Sequence, residues 1–298
     1  MKKVWLLFWI LVSSIGLGVV LLSTPRNQPT SASYQAVEPP PQAEIEYKSY
    51  TFPQSVVHTL LIPKTSSFSV TPVVSPTLEP VENVAVQHQA KAAINGGFFD
   101  PVNQKTTSIV IRQGVLIADP KFNERFINNP KNAPYLDKML NRSELRRYVC
   151  GETIRFDIAL RDSPIPSGCR LTDALGGGPG LLPELGLIQE GFMDVANGKV
   201  IRDALGSNRP NARTAIGITR DGSLVWVMVA QKRENPTNSG MSLPELANFM
   251  KSLGVEKAMN LDGGSSSSFY YKGQTFYGKV NGNGNWVRRP VKSVLLVF

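Results

Sequence analysis

An uncharged run at residues 4–22 constrains the folding of this chain more than any other sequence feature. Its nineteen residues suffice for a membrane-spanning helix, which needs roughly 17–25. Lys2 and Lys3 precede the run, and the positive-inside rule places that short end in the cytoplasm. The length favours an uncleaved signal anchor over a cleaved signal peptide, for which residues 31–33 could supply the cleavage site. We therefore expect the rest of the chain on the periplasmic or extracellular face of the membrane, or secreted if the signal is cleaved.

The segment that follows has the composition of a linker. Residues 23–44 are rich in proline, serine and glutamine and hold few large apolar side chains, which is typical of an extended tether. Apolar alternation begins at Ile45 and no second low-complexity stretch follows. The sequence thus predicts a signal anchor or signal peptide at 1–22, a Pro/Ser-rich linker at 23–44 and one domain at 45–298.

Composition limits the chemistry of that domain. The chain has only two histidines and two cysteines, which excludes multi-histidine and four-cysteine zinc sites. Its net charge of +9 fits an anionic membrane surface, a small anionic substrate or nucleic acid. The basic residues are dispersed and no zinc-finger or helix-turn-helix signature is present, so we predict no nucleic-acid partner. Outside the cytoplasm Cys150 and Cys169 can form a disulfide, but their spacing is equally compatible with two buried thiols.

The hydrophobic pattern predicts an α+β fold, a mixed β-sheet domain with a few flanking helices, preceded by the N-terminal transmembrane or signal-anchor helix. The clearest element is a helix at 243–253, because Ser242 and Glu245 form a capping box before an apolar stripe and Gly254 follows as a stop. Strands are predicted at 55–62, 108–117, 223–230 and 291–298, and two more helices at 82–92 and 133–148.

Two glycine-rich segments in the first part of the domain hold candidate site residues. Asn95 precedes two glycines and could aim its amide into a pocket, unless the segment is a tight turn with two core phenylalanines. Asp173 precedes a triple glycine, and the backbone N–H groups of Gly177 and Gly178 could bind an anion. A wide surface turn is the alternative, and the spacing fits neither a dinucleotide-binding fingerprint nor a P-loop.

Two later segments carry charged candidates. Arg209 and Arg213 are planar donors suited to phosphate or carboxylate, although either could be an ordinary solvated arginine. Asp262 ends a short apolar strand, so its carboxylate can be a nucleophile, a general base or a metal ligand, or can close a turn. The loop that it opens adds backbone donors and a hydroxyl, from Gly263, Gly264 and Ser265.

Taken together, these motifs resemble the phosphodiester glycosidase family, which includes the enzyme that uncovers mannose 6-phosphate and bacterial exopolysaccharide-biosynthesis proteins. The resemblance runs from about residue 50 to the C-terminus in the family's order. The matching segments are Asn-Gly-Gly-Phe-Phe at 95–99, Gly-Gly-Gly-Pro at 176–179, Arg-Thr-Ala-Ile-Gly at 213–217, Ser-Gly-x-Ser-Leu-x-Glu-Leu-Ala at 239–247 and Leu-Asp-Gly-Gly-Ser-Ser at 261–266.

The resemblance implies an enzyme that hydrolyses a sugar 1-phosphodiester in an exported glycan or glycoconjugate. Asp262 would face the anomeric carbon, while Arg213, with Arg209, would hold the phosphoryl oxygens. The glycine N–H groups would share that charge, and Asn95 and Ser265 would orient sugar hydroxyls or phosphate. The expected partners are a phosphorylated sugar or envelope polysaccharide and, through the N-terminal helix, the membrane. No cofactor and no metal site are predicted.

Two departures from the family pattern leave alternatives open. Gln231 stands where many members have an acidic residue, so either another acid such as Glu234 substitutes or catalysis is absent. In the second case the chain would be a non-catalytic glycan or cell-wall binding protein, or an exopolysaccharide assembly factor, on the same fold. Residues 122–151 are expected to be a basic, helical insertion.

Overall fold

The computed structural model of the protein describes residues 43–298, so the predicted anchor and most of the predicted linker lie outside the described residues. Residues 43–298 contain eighteen strands and four short α-helices. The strands are β1 (Glu46–Phe52), β2 (Ser55–Ile62), β3 (Val70–Glu79), β4 (Ala92–Asn95), β5 (Val110–Arg112), β6 (Val115–Ala118), β7 (Ser143–Cys150), β8 (Thr153–Leu160), β9 (Cys169–Gly176), β10 (Gly180–Leu182), β11 (Met193–Ala196), β12 (Lys199–Asp203), β13 (Arg213–Thr219), β14 (Leu224–Ala230), β15 (Val255–Asn260), β16 (Ser268–Tyr271), β17 (Gln274–Tyr277) and β18 (Val291–Val297). The α-helices are α1 (Val81–Gln87), α2 (Glu124–Ile127), α3 (Leu136–Leu140) and α4 (Leu243–Ser252).

The strands form three main sheets and one hairpin. Sheet A has the order β1-β2-β14-β13-β15-β10, sheet B the order β17-β16-β4-β18-β3, and sheet C the order β6-β5-β9-β7-β8, while β11 and β12 pair alone. Every strand pair in residues 43–298 is antiparallel. The β-rich domain with few helices agrees with the predicted class, but its sheets are antiparallel and not mixed. No helix in this described part of the chain is long and apolar enough to cross a membrane.

The hydrophobic core explains this layering. Side chains from sheets A, B and C share one cluster, in which Trp226 of sheet A, Ile94 of sheet B and Leu175 of sheet C are nearly or fully buried. The other face of sheet A packs against α4, and the other face of sheet B packs against α1. Because both faces of β14 are covered, all seven of its residues are buried. Sheets A and B therefore meet across a common core, and the candidate site lies where two of their strands end.

Several predicted elements are confirmed. Strand β2 has the predicted limits, β14 and β18 lie within the predicted segments, and Gln113 and Gly114 form the turn between β5 and β6 with positive φ. Helix α4 begins after Ser242 with both hydrogen bonds of the capping box in place. These segments carry local signals strong enough to fix their structure.

The predicted helix at 133–148 is largely wrong. Helix α3 ends at Leu140, and β7 then pairs with β8 on one side and β9 on the other, so tertiary pairing overrides the local helical pattern. The basic residues of that segment therefore do not form one exposed helical face, since Lys138 is exposed on α3 while Arg146 is buried in β7 and paired with Glu144 at 2.6 Å. The helix predicted at 82–92 is likewise shorter, because Gln89 adopts a positive φ after α1 and β4 begins at Ala92.

The two cysteines form a disulfide. Cys150 ends β7 and lies directly opposite Cys169 at the start of β9, so the bridge fastens two neighbouring strands of sheet C. Of the two possibilities that the spacing left open, the structure has the bridge.

Candidate active site

The loop that begins at Asp262 joins the ends of sheets A and B. Asp262 follows β15 and leads into a 3₁₀ turn at Gly264–Ser266. Its backbone N–H donates to the Gly96 carbonyl at 3.1 Å, and its own carbonyl accepts from Asn95 Nδ2 at 2.7 Å. The first and fourth glycine-rich segments thus meet directly, although they are far apart in the sequence.

Asn95 is the centre of this junction. Its side-chain oxygen accepts from Thr214 Oγ1 at 2.8 Å and from the Ser268 N–H at 3.1 Å. The residue is fully buried, so these contacts and the bond to Asp262 take up its amide. The predicted contact with sugar or phosphate is therefore replaced by a structural role, in which Asn95 holds the Asp262 loop against β13 and β16.

Opposing effects act on the Asp262 carboxyl group. Burial raises its pKa to about 6, while hydrogen bonds from Ser266 and the Gly263 N–H and the positive charge of Arg289 act in the opposite direction. The residue nevertheless keeps some solvent exposure. A partly accessible carboxyl group that titrates near neutral pH is suited to act as a nucleophile or general base.

Sequence reasoning missed a cation beside this carboxyl group. Arg289 donates from Nη1 to Ser265 Oγ at 2.7 Å, and its guanidinium carbon lies 5.2 Å from the centre of the Phe99 ring. Arg289 precedes β18, whereas its neighbour Arg288 is bound to Glu82 at 2.5 Å. The pair of arginines just before a predicted strand was the available sequence signal, but nothing local shows which one reaches the loop.

A second missed cation lies across the same loop. Lys279 Nζ donates to Asn211 Oδ1 at 3.3 Å, and a Cβ placed on Gly264 would lie 3.7 Å from Asn211 Nδ2. Burial, with the nearby charge of Arg213, lowers the pKa of Lys279. Two cationic side chains, Arg289 and Lys279, therefore lie near the Asp262 loop.

Arg213 does not have the contacts predicted for a phosphate clamp. Its guanidinium donates to four backbone carbonyls at 2.8–3.1 Å, those of Met241, Leu205, Gly206 and Arg209. Because the residue is buried, its pKa is lowered to about 10. Arg213 thus fastens the loop before β13. Arg209 contributes its carbonyl to that network, and its exposed side chain stays a predicted substrate contact.

The triple-glycine segment packs tightly and does not present a free anion cradle. The Gly177 N–H donates to the Ser143 carbonyl at 2.9 Å, and the Gly178 N–H donates to the Asn260 carbonyl at 2.8 Å. A Cβ on Gly177 would lie 2.7 Å from that same Asn260 oxygen. The prediction of anion binding by these N–H groups is therefore wrong, and the glycines instead allow the segment to approach β15 closely.

Asp173 is also used within the protein scaffold. Its carboxylate accepts from Arg147 Nη1 and from the Gln113 N–H, both at 3.3 Å, inside sheet C.

The two glycines after Asp262, Gly263 and Gly264, lie in the loop that the sequence predicted there. Gly264 has a φ of +58° and donates its N–H to the Ala212 carbonyl at 2.8 Å, which seats the Asp262 loop against β13.

Gln231 is part of the scaffold as well. Its Nε2 donates to the Ser239 carbonyl at 3.2 Å, and its Oε1 accepts from the Val280 N–H at 3.1 Å. A buried amide satisfies both partners at once, whereas an ionised carboxylate would face a carbonyl oxygen. Glu234 is an exposed turn residue. Gln231 therefore supplies no carboxylate, and a catalytic role for Glu234 stays a prediction.

Comparisons with known proteins identify the family and the fold. The model of a family described as phosphodiester glycosidase matches residues 88–298. The solved catalytic domain of zebrafish N-acetylglucosamine-1-phosphodiester alpha-N-acetylglucosaminidase is similar in fold, with a TM-score of 0.60 and 20% identity over 85% of this chain and 82% of that one. A putative exported protein from Burkholderia pseudomallei has a TM-score of 0.53 and 16% identity over 82% and 74% of the two chains. No curated protein matches the chain in sequence.

Proposed function

Because the chain belongs to the phosphodiester glycosidase family, we propose that it hydrolyses a sugar 1-phosphodiester at the anomeric carbon, with Asp262 as the essential carboxylate. The observation that carries this assignment is the partly exposed Asp262 carboxyl group, with its raised pKa, where sheets A and B end. Asn95 fixes its backbone, and Arg289 places a positive charge beside it.

The leaving group explains why one carboxylate can suffice. When the bond from the anomeric carbon to oxygen breaks, the electron pair stays on the phosphate oxygen and a phosphomonoester departs. Its second pKa is about 6, so it needs little protonation near neutral pH. A water oxygen then bonds to the anomeric carbon. Asp262 either accepts the proton of that water or first forms a covalent sugar ester that water hydrolyses.

The cations that lie near the loop supply the remaining requirement. Negative charge builds on the phosphate oxygens as the bond breaks, and fixed positive groups stabilise it most where water is partly excluded. Arg289 uses one nitrogen for Ser265 and rests against Phe99, so its orientation is defined. We assign it, with Lys279, to the phosphoryl group, in the role that the sequence had given to Arg213.

The cellular setting is part of the same proposal. The apolar run at 4–22 with its preceding lysines supports an anchored protein whose domain lies outside the cytoplasm. The disulfide between Cys150 and Cys169 supports an oxidising compartment. In that setting the substrate is a phosphorylated glycan or glycoconjugate of the envelope.

The test uses the full-length protein and a methyl phosphodiester of α-N-acetylglucosamine 1-phosphate. We expect wild-type protein to release the sugar and, in ¹⁸O-labelled water, to place the label on the sugar rather than the phosphate. The variant Asp262→Asn should lose at least about 100-fold in kcat. It should be as stable as wild type or more so, because the folded state no longer desolvates a carboxylate. Asp137→Asn, on the exposed side of α3, is the matched control.

Turnover of Asp262→Asn at the wild-type rate would refute the assignment of the carboxylate. If wild-type protein hydrolyses no sugar phosphodiester but binds envelope glycan saturably, the non-catalytic alternative is correct instead.

A further inference from the structure

Two arginines outside the Asp262 loop are fastened to one turn. Arg142 donates from Nε to the Glu190 carbonyl at 3.1 Å, and Arg202 donates from Nε to the Gly191 carbonyl at 2.9 Å. The two acceptor carbonyls belong to consecutive residues, so the two guanidinium groups are bound to the same turn. They are close enough for the charge of Arg202 to lower the pKa of Arg142.

Aromatic rings hold both guanidinium groups in place. The guanidinium carbon of Arg142 lies 3.7 Å from the centre of the Phe192 ring and 5.9 Å from that of Phe98. That of Arg202 lies 4.5 Å from the centre of the Tyr135 ring. Stacking of this kind fixes the plane of a guanidinium while leaving its terminal nitrogens open for a second partner.

Those terminal nitrogens have no protein partner in the part of the chain that the structure describes. Between residues 43 and 298, each of the two arginines forms only its Nε bond and neither forms a salt bridge. The Glu190 carboxylate acts on Arg142 through its charge, but its hydrogen bonds are those from the backbone and hydroxyl of Ser143 and from the Gly180 N–H.

Two neighbouring guanidinium groups, one of them largely buried, repel each other and lose hydration unless an anion lies beside them. Burial and the charge of Arg202 lower the pKa of Arg142 to about 9, while the charge of Glu190 acts in the opposite direction. Elsewhere in sheet C the protein pairs a buried arginine with an acid, as Arg146 and Glu144 show. Within residues 43–298 the terminal nitrogens of Arg142 and Arg202 carry no such acid, and a guanidinium with free terminal nitrogens can donate two parallel hydrogen bonds to a phosphate or carboxylate.

Phe98 connects this pair to the proposed active site. The Gly96 carbonyl holds the Asp262 N–H, and Phe98 follows two residues later, a span of at most about 7 Å of chain. Its ring lies 5.6 Å from the Phe192 ring on which Arg142 stacks. Phe98 and Phe192 thus connect the segment that holds the Asp262 backbone to the ring on which Arg142 stacks.

We propose that Arg142 and Arg202 bind a second anionic group of the substrate, a phosphate or carboxylate on the unit next to the phosphodiester that is cleaved. This inference rests on the proposed function and narrows it, because the substrate becomes a glycan that carries anions on neighbouring units. The pair then determines specificity, while Asp262 performs the chemistry.

The test compares three synthetic sugar 1-phosphodiesters whose aglycones carry no charge, a phosphomonoester or a carboxylate. Wild-type full-length protein should favour a charged aglycone about ten- to one-hundredfold in kcat/KM, the range for hydrogen bonds to charged groups. Arg202→Gln and Arg142→Gln should each reduce that preference and leave the uncharged substrate unaffected. Arg220→Gln, whose side chain is 90% exposed and lies in the β13–β14 turn, should retain the preference. The preferred aglycone identifies the anion as phosphate or carboxylate.

A binding measurement separates this inference from the proposed function. Calorimetric titration of inorganic phosphate into the full-length Asp262→Asn protein should show a site that Arg202→Gln weakens and Arg220→Gln does not. If no substrate is hydrolysed but this site is present, the proposed function fails and the anion site stands. Equal rates on all three substrates, or an equal loss on all three in the variants, would overturn the inference. Arg142→Lys, which keeps the charge without the planar fork, should keep part of the preference and guards against misfolding of Arg142→Gln.

Discussion

The ionisation of a single residue, Asp262, controls the proposed chemistry. Burial raises its pKa to about 6, and Arg289 acts against that rise. The carboxylate is therefore mostly ionised at neutral pH and becomes protonated as the pH falls through about 6. Arg289 thus has two effects in the proposed mechanism, since it favours the ionised form of Asp262 and places a positive charge beside the departing phosphate.

This arrangement predicts a defined pH dependence. In wild-type protein kcat/KM should fall as the pH drops below about 6. In Arg289→Met the loss of positive charge raises the pKa of Asp262 further, so the acidic limb should move to higher pH. Arg289→Lys should leave the limb near its wild-type position. A pH profile of each variant measures the shift.

The neighbouring arginine provides the control for that profile. Arg288 is paired with Glu82 and is half exposed, so Arg288→Met should leave the limb in place. An acidic limb that does not move in Arg289→Met would show that Asp262 is not the group that titrates.

For single residues, the sequence predicts which side chains lie near the site better than it predicts what those side chains bind. Asn95 and Arg213 do lie around the Asp262 loop, but their polar atoms bind the protein itself. A local motif does not show which partner an amide or a guanidinium will find, because those partners come from distant strands. For the same reason Arg289 was missed, since only the pairing of β18 with β4 brings the segment before it to the loop.

At the scale of elements, the triple-glycine segment shows why a motif can be required for packing. A Cβ on Gly177 would lie 2.7 Å from the Asn260 backbone oxygen, and backbone cannot move aside as a flexible side chain can. We expect Gly177→Ala to lower the free energy of unfolding by about 1–3 kcal/mol, the usual range for overpacking. Gly282→Ala, where no atom lies within 4 Å of the added Cβ, is the matched control in thermal denaturation. Equal melting temperatures for the two variants would contradict the close approach.

Elements with strong local signals were predictable and those set by pairing were not. Helix α4 has a capping box and an apolar stripe, β14 is a continuous apolar run and β2 is rich in β-branched and apolar residues, so their sequences alone indicate their structure. Strand β7 contains charged residues at spacings that also fit a helix. Its position between β8 and β9 decides the outcome, and that position is a property of the whole of sheet C.

At the scale of the whole molecule, the disulfide is the covalent restraint on the fold. It links Cys150 and Cys169, nineteen residues apart, and so restricts the unfolded chain. The double variant Cys150→Ser/Cys169→Ser should lose about 3 kcal/mol of stability according to the loop-entropy estimate. Denaturant titration of wild type with and without reductant should give the same difference. No change in the unfolding midpoint on reduction would show that the pairing of β7 with β9 alone sets the stability of this region.

The contacts of Asn95 also determine at which point of synthesis the proposed site can form. Asn95 is made early, whereas its partners Thr214, Asp262 and Ser268 follow much later and Arg289 almost last. Synthesis proceeds from the N-terminus, so a growing chain holds the support for the carboxylate long before the carboxylate itself. An unfinished chain therefore lacks the proposed active site. If the protein crosses the membrane unfolded, the proposed activity begins only on the far side, after β18 has been delivered.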